Sequence, residues 1–419
     1  MILDTKLTWK THIQLKKSCM QNMNILKVLA NHNWEADITQ LLNIYKTQIR
    51  SELDYGSIVY SSAKDSLLKQ LDIIQNTALR LALGAYRTSP VESLYVEVDE
   101  PPLSIRRHRL SLQYAAKIEA NSNNPAYSYT FSDNFHLIFE QNPFLSALFF
   151  SKRITGFNFP KVISNEINYP SPWTIKLPKC NTNLLLYHKS DTSSHIILQR
   201  FQAIKDKYKR YYQIYTDASK TSEMETVGAA FVDETIKHQF QLPKEYSIYS
   251  AELYAISKAL QRISNQPKLE PVIFTDSLSA VQGILRVYPN HPILCQIKID
   301  LEELYSKNKR VEFVWIPSHV DIIGNEKADQ EAKEACCMNR PDKELLKIPH
   351  SDIQDIIKEF SMRIWLERWK KHDDNKLQRI NLNLSPKGIM PQKRRDQVIQ
   401  HRLTIGHTRL THQYLMKKE

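Results

Sequence analysis

The sequence predicts an α/β fold, a mixed sheet flanked by helices, preceded by a mostly α-helical domain. Two patterns carry that expectation. From about Leu3 to Ala120 apolar residues recur at helical spacing, as in Leu41, Leu42, Tyr45 and Ile49, and again in Leu67, Leu71, Ile74 and Leu81. From Tyr211 onward, short strand-like runs alternate with amphipathic helices. At 419 residues the chain exceeds one ordinary domain, so two or three compact units are expected.

Residues 1–120 form the helical region, broken near Pro101 and Pro102, after which Arg106, Arg107, His108 and Arg109 open another helix. It ends near Asn121-Ser122-Asn123-Asn124-Pro125, a linker-like string. Residues 121–208 are rich in Phe, Pro and Asn without a clear period and are expected to be an irregular connector.

Residues 209–338 begin with three strands, Tyr211 to Asp217, Val227 to Val232 and Ile236 to Leu242, whose short gaps suggest an antiparallel meander. A helix with Leu253, Ile256, Leu260 and Ile263 on one face follows, then a buried strand from Val272 to Thr275. Helices through Val281 and Leu285 and through Ile297, Leu301 and Leu304 precede a strand from Val311 to Ile316 and an Ala-rich helix. Helical crossovers make the later strands parallel, so the sheet is mixed. Residues 339–419 read as a basic helical tail with Trp365, Trp369 and the run Lys393-Arg394-Arg395.

The formal net charge of +12 and pI of about 9.2 favour a polyanionic partner, nucleic acid or an anionic surface. No apolar run is long enough for a membrane span, and no signal-peptide pattern opens the chain, which leads to an expectation of a soluble, intracellular protein without choosing nucleus or cytoplasm. The five cysteines, Cys19, Cys180, Cys295, Cys336 and Cys337, have no C-x-x-C spacing, which argues against a disulfide framework and a structural zinc.

Four acids stand out: Asp217 in Tyr215-Thr216-Asp217-Ala218-Ser219, Glu252 in Ser250-Ala251-Glu252-Leu253, Asp276 in Phe274-Thr275-Asp276-Ser277, and Asp329 in Gly324-Asn325-Glu326-Lys327-Ala328-Asp329. Carboxylates gathered from separate elements can hold two divalent metals. Each also has an ordinary alternative: Asp217 as a turn residue after a strand, Asp276 as a helix N-cap, Glu252 as a first-turn acid, and Asp329 on a solvated face. Jointly they say more, because adjacent parallel strands ending in Asp217 and Asp276 would meet, with Glu252 at the start of the intervening helix.

The strings just quoted, with Trp315-Ile316-Pro317-Ser318-His319-Val320, make Tyr211 to Ala335 resemble a type 1 ribonuclease H domain. That resemblance implies a five-stranded mixed sheet, with Asp217, Glu252, Asp276 and Asp329 coordinating two Mg²⁺ ions, Mn²⁺ being a substitute. It implies an enzyme that hydrolyses the RNA strand of RNA–DNA hybrids, reading 2′-hydroxyls and backbone rather than base sequence. His319 then takes an auxiliary part in proton transfer or product release, the alternative being a solvated loop histidine. Asp321 departs from the glycine more common after such a string, and Glu326 reads as a solvated helix acid.

Residues 1–120 resemble the region after the polymerase palm in non-LTR retrotransposon reverse transcriptases, through Leu3-Asp4-Thr5-Lys6-Leu7-Thr8-Trp9, Leu53-Asp54-Tyr55-Gly56, Leu71-Asp72-Ile73-Ile74-Gln75-Asn76, Arg87-Thr88-Ser89-Pro90-Val91 and Pro101-Pro102-Leu103. Arg80, Arg87, Arg106, Arg107 and Arg109 become candidate phosphate contacts, or else a solvated helix face. No Tyr-x-Asp-Asp polymerase string occurs, so a truncated mobile element is expected, retaining a grip on the nucleic-acid backbone. Arg402 to His412 again resembles retrotransposon proteins, but His407 and His412 have no nearby cysteines and are assigned no zinc. The competing expectations are a catalytically silent nucleic-acid-binding relic and a nuclease of the same fold acting on DNA.

Overall fold

The computed structural model describes residues 8–31, 36–127, 160–164, 171, 173, 175–221, 226–266, 270–338, 347–385 and 393–408. In chain order the principal helices are α1 (Leu15–Leu29), α2 (Ile38–Ile44), α3 (Asp65–Leu83), α4 (Val91–Glu97), α5 (Leu103–Glu119), α6 (Ser194–Lys207), α7 (Ile248–Ser264), α8 (Leu278–Leu285), α9 (Pro292–Ser306), α10 (Ile323–Cys336), α11 (His350–Lys370) and α12 (Arg394–Ile405). The strands are β1 (Lys179–Asn181), β2 (Tyr212–Thr221), β3 (Thr226–Val232), β4 (Lys237–Leu242), β5 (Pro271–Thr275) and β6 (Glu312–Trp315). Two compact units result. One holds the described residues of Met1–Ala115, Pro125–Asn158 and Ile357–Glu419, the other those of Ala116–Asn124 and Phe159–Ile356. Among the described residues no helix is long and apolar enough to cross a membrane.

The first unit is helical, as its periodicity predicts. Cys19, Met23 and Leu26 of α1 pack with Leu71, Ile74 and Ala78 of α3 in one apolar core. That core also takes Trp365 and Trp369 of α11, Leu377, Leu384 and Ile405, so this part of residues 339–419, expected as a basic helical tail, contributes interior structure. Even its basic run is used internally: the buried Arg394 donates to Ala82 O at 2.6 Å and Leu81 O at 2.9 Å, meeting carbonyls in the last turn of α3. Three of the five candidate phosphate contacts are similarly engaged. Arg106 forms a forked pair with Asp54, Arg80 donates to Ser89 O at 3.2 Å, and Arg107 is buried beside Asp72. Spacing alone shows that a residue is basic, not what faces it.

The second unit is built on a mixed sheet of order β1-β6-β5-β2-β3-β4. β2, β3 and β4 form the expected antiparallel meander, and β5 and β6 are parallel to β2 and to each other. The five expected strands are joined by β1, parallel to β6 with Lys179 opposite Glu312. β1 lies in the stretch expected to be an irregular connector, and so does α6. At three residues β1 is too short to show alternation, whereas Ile197, Phe201 and Ile204 of α6 do carry a helical period.

One sheet face, with Tyr215, Val272, Phe274 and Val314, packs on Ile197 and Phe201 of α6 and Ala328 of α10. Phe274 stacks on Tyr215 at 4.8 Å and meets Phe201 edge-on at 5.8 Å. Alternation turns Ile214, Ile273 and Phe313 the other way; α7 crosses β2 and β3, and α9 packs on α7. Two glycines let α10 lie close: a Cβ on Gly228 would stand 2.1 Å from Ala332 O, and one on Gly324 would stand 2.4 Å from the Tyr215 ring.

Candidate active site

The register of the parallel pair builds the centre of the site. Tyr215 lies opposite Phe274 and Thr216 opposite Thr275, so the next residue on each strand is an aspartate, Asp217 and Asp276. Asp217 is not a turn residue. β2 runs on to Thr221 against β3, with Asp217 opposite Ala230, so the side chain sits within a strand at the level where β5 stops. Its Oδ1 accepts from Ala218 N at 2.7 Å.

Asp276 is not a helix N-cap either. Ser277 caps α8, accepting from Ala280 N, and leaves the Asp276 carboxylate to the site, where Oδ2 accepts from Asn325 Nδ2 at 3.3 Å. Trp315 Nε1 donates to Asp276 O at 3.0 Å and anchors its backbone. Glu252 lies deeper than a first-turn acid. Ser247 is the N-cap of α7, the first turn holds no acid, and Glu252 falls five residues past the cap on the buried face.

Asp217, Glu252 and Asp276 each offer an oxygen within 4.8 Å of the others. Among the described residues none of the three forms an ion pair, and Glu252 Oε2 is buried without a hydrogen-bond partner. Three carboxylates so placed resist ionisation. Burial and the neighbouring Asp276 push Asp217 up to about 8, burial and Asp217 hold Glu252 well above the carboxylate range, and burial raises Asp276. A divalent cation would relieve all three effects at once. An orphaned buried carboxylate oxygen among other hard oxygens fits Mg²⁺ or Mn²⁺ in ligand type.

Asp329 belongs to a second, more open group with His319 and Glu326, whose ligand atoms also lie within 4.8 Å of one another. Glu326, read from sequence as a solvated acid, is half-buried and part of this group. Asp329 Oδ2 accepts from Lys333 Nζ at 2.5 Å, one helical turn on. The groups feel each other, since the Asp329 charge raises both Asp217 and Asp276 while His319 lowers Asp276. The four acids therefore stand as three in one ligand group and Asp329 in its neighbour.

His319 is exposed on the loop between β6 and α10, with φ 50, and Asp321 has φ 59. Both lie in the left-handed region that favours glycine, which accounts for the glycine common where Asp321 stands. Lys189, ahead of α6, donates to Ser318 O and, at 3.1 Å, to Ser318 Oγ, fixing the residue before His319. Sequence reasoning assigned no role to Asn325, Lys333 or Lys189. Asn325 stood inside a quoted string and Lys333 at helical spacing from Asp329, but nothing local pointed to Lys189.

Residues 209–337 match the family model described as RNase H. The match spans β2 to β6 and α7 to α10, so this segment is an RNase H domain, while β1, α6 and α11 lie outside it.

Proposed function

We propose that this domain is a metal-dependent hydrolase that cuts the RNA strand of RNA–DNA hybrids. The observation that carries the reading is the buried trio Asp217, Glu252 and Asp276, which shares 4.8 Å without an ion pair among the described residues. Burying carboxylates without a counter-charge opposes folding, and a cation-binding role supplies the reason for keeping them. Those three would hold the metal, with Asp329 extending the site toward a second ion. Two divalent ions, when bound, supply an activated water and a clamp on the scissile phosphate.

The chain's own residues do the rest. Asn325 orients the Asp276 carboxylate through its 3.3 Å hydrogen bond. His319, exposed on a loop braced by Lys189, is placed to carry a proton to or from solvent. Lys333 neutralises Asp329, which lessens the repulsion of a polyanion there. The net charge of +12 supports a nucleic-acid partner. The strings in residues 1–120 support an origin in a non-LTR retrotransposon protein.

The test is cleavage of a 5′-labelled RNA–DNA hybrid by the full chain with Mg²⁺, beside EDTA, duplex-DNA and Asp217→Asn controls. Metal-dependent RNA cuts confined to the hybrid and lost in the variant are expected. Tight hybrid binding without cuts would instead establish a silent relic.

A further inference from the structure

We propose that Asp352, outside the segment matched by the family model, is a positioning residue for the Glu252 carboxylate. The proposal rests on the reading of Asp217, Glu252 and Asp276 as a metal site. Glu252 has one carboxylate oxygen without a hydrogen-bond partner, so its placement depends on where the first turns of α7 lie. Those turns are held from outside the family segment. Asp352 Oδ2 accepts from Ser247 N at 3.0 Å and Oδ1 from Ser247 Oγ at 2.9 Å, and Ser247 is the N-cap of α7.

The hold passes inward. Ser247 Oγ accepts from Ser250 N at 3.1 Å, and Ser250 Oγ bonds His291 Nε2 at 2.9 Å, tying the turn before Glu252 to the start of α9. Beside it, Tyr246 OH donates to Lys347 O at 3.1 Å. The stretch that supplies these contacts is interior structure: Asp352 is 4 % exposed, Ile348 4 % and Ile353 0 %. Two bonds to one carboxylate at a helix N-terminus, where the helix dipole favours negative charge, form a stronger clamp than neutral caps provide. A neutral Ser-to-backbone cap would secure the helix; the paired carboxylate also fixes its direction. The segment 209–337 by itself lacks this clamp, and residues 347–356 complete the site.

The experiment compares the full chain with Asp352→Ala, Asp352→Asn, Ser247→Ala and the Asp352→Ala/Ser247→Ala double variant. It measures cleavage against Mg²⁺ concentration, KM for the hybrid, Mn²⁺ binding by calorimetry, and thermal unfolding. Asp352→Ala is expected to raise the metal concentration for half-maximal cleavage by about tenfold, the low end for outer-sphere partners of metal ligands. KM for the hybrid should stay within about twofold, since the clamp touches no substrate. Asp352→Asn, which keeps the shape and one acceptor, should recover part of the metal dependence, and the double variant should lose less than the sum of the singles.

Should Asp352→Ala fail to fold, Asp352→Asn carries the same expectation with a smaller shift. Unchanged metal dependence in a folded Asp352 variant would overturn the assignment, as would an equal loss of metal binding, KM and stability in both. A wild-type chain that neither binds Mn²⁺ nor cleaves would overturn the metal-site reading, and this assignment with it.

Discussion

Two groups of acids stand side by side in the RNase H domain and are treated oppositely by the fold. Asp217, Glu252 and Asp276 are packed together, half-buried or deeper, with raised pKa values and no ion pair among the described residues. Asp329, His319 and Glu326 are more open, and Asp329 has Lys333 at 2.5 Å. The inner group is unfavourable when ionised and would be balanced by a proton or a bound cation. In the outer group Asp329 already has a counter-charge from the chain. Function is therefore expected to depend most on the inner acids, and stability without metal to improve when one of them is neutralised.

Asp217→Asn should break this contrast most sharply. Cleavage should fall about a thousandfold or more, because several kcal/mol of metal-borne transition-state stabilisation are lost. Stability should move the other way. With Asp217 raised from the usual carboxylate range to about 8, the folded protein holds a proton that the unfolded chain has released. The stabilising contribution of that proton is full below the unfolded value and is lost as pH rises toward about 8. In EDTA the variant should melt at about the wild-type temperature near pH 4 and increasingly above it toward pH 8, as read by circular dichroism. Mg²⁺ should then raise the melting temperature of the wild type and not of the variant.

His319→Ala tests the outer group where it is exposed. A loop imidazole that only moves protons should cost about a hundredfold in kcat while leaving metal affinity and stability near wild type, measured in single-turnover and melting experiments. A shift in Mg²⁺ dependence instead would make it a ligand. Asp329→Asn should cost less, about tenfold in cleavage, and change metal-free stability by no more than about 1 kcal/mol, since a partly exposed ion pair contributes little. A pH-dependent gain like that of Asp217→Asn would erase the distinction between the two groups. The smallest effect is expected for Asp321→Gly. Relief of the φ 59 backbone is offset by the flexibility glycine adds to the unfolded chain, leaving about 0.5 kcal/mol by denaturant unfolding and cleavage within about twofold.

Much of this site was legible in sequence because its signals are local. The strand-length runs around Tyr215 and Phe274 and the helical period of Leu253, Ile256 and Leu260 specify elements, and each quoted string places its acid on one of them. The same locality produced the errors. Asp217 looked like a strand end because the meander partner β3, which carries β2 on to Thr221, shows no mark in the residues after Asp217. Glu252 looked like a first-turn acid because the cap is chosen by Ser247 and its distant partner Asp352.

The sequence by itself determined the order of β2 to β6 and the helices between them and placed each of the four acids among those elements, because these follow from side-chain type and short-range spacing. Only the tertiary structure decided that β1 and α6 complete the sheet unit, that Arg394 and the two tryptophans of α11 are interior, and that Asp329 sits with His319 and Glu326 rather than within the buried trio. Those outcomes depend on which surfaces meet. A charge, a short strand or a tryptophan looks the same in sequence whether its partner is water or a residue far along the chain, and burial then decides its energy.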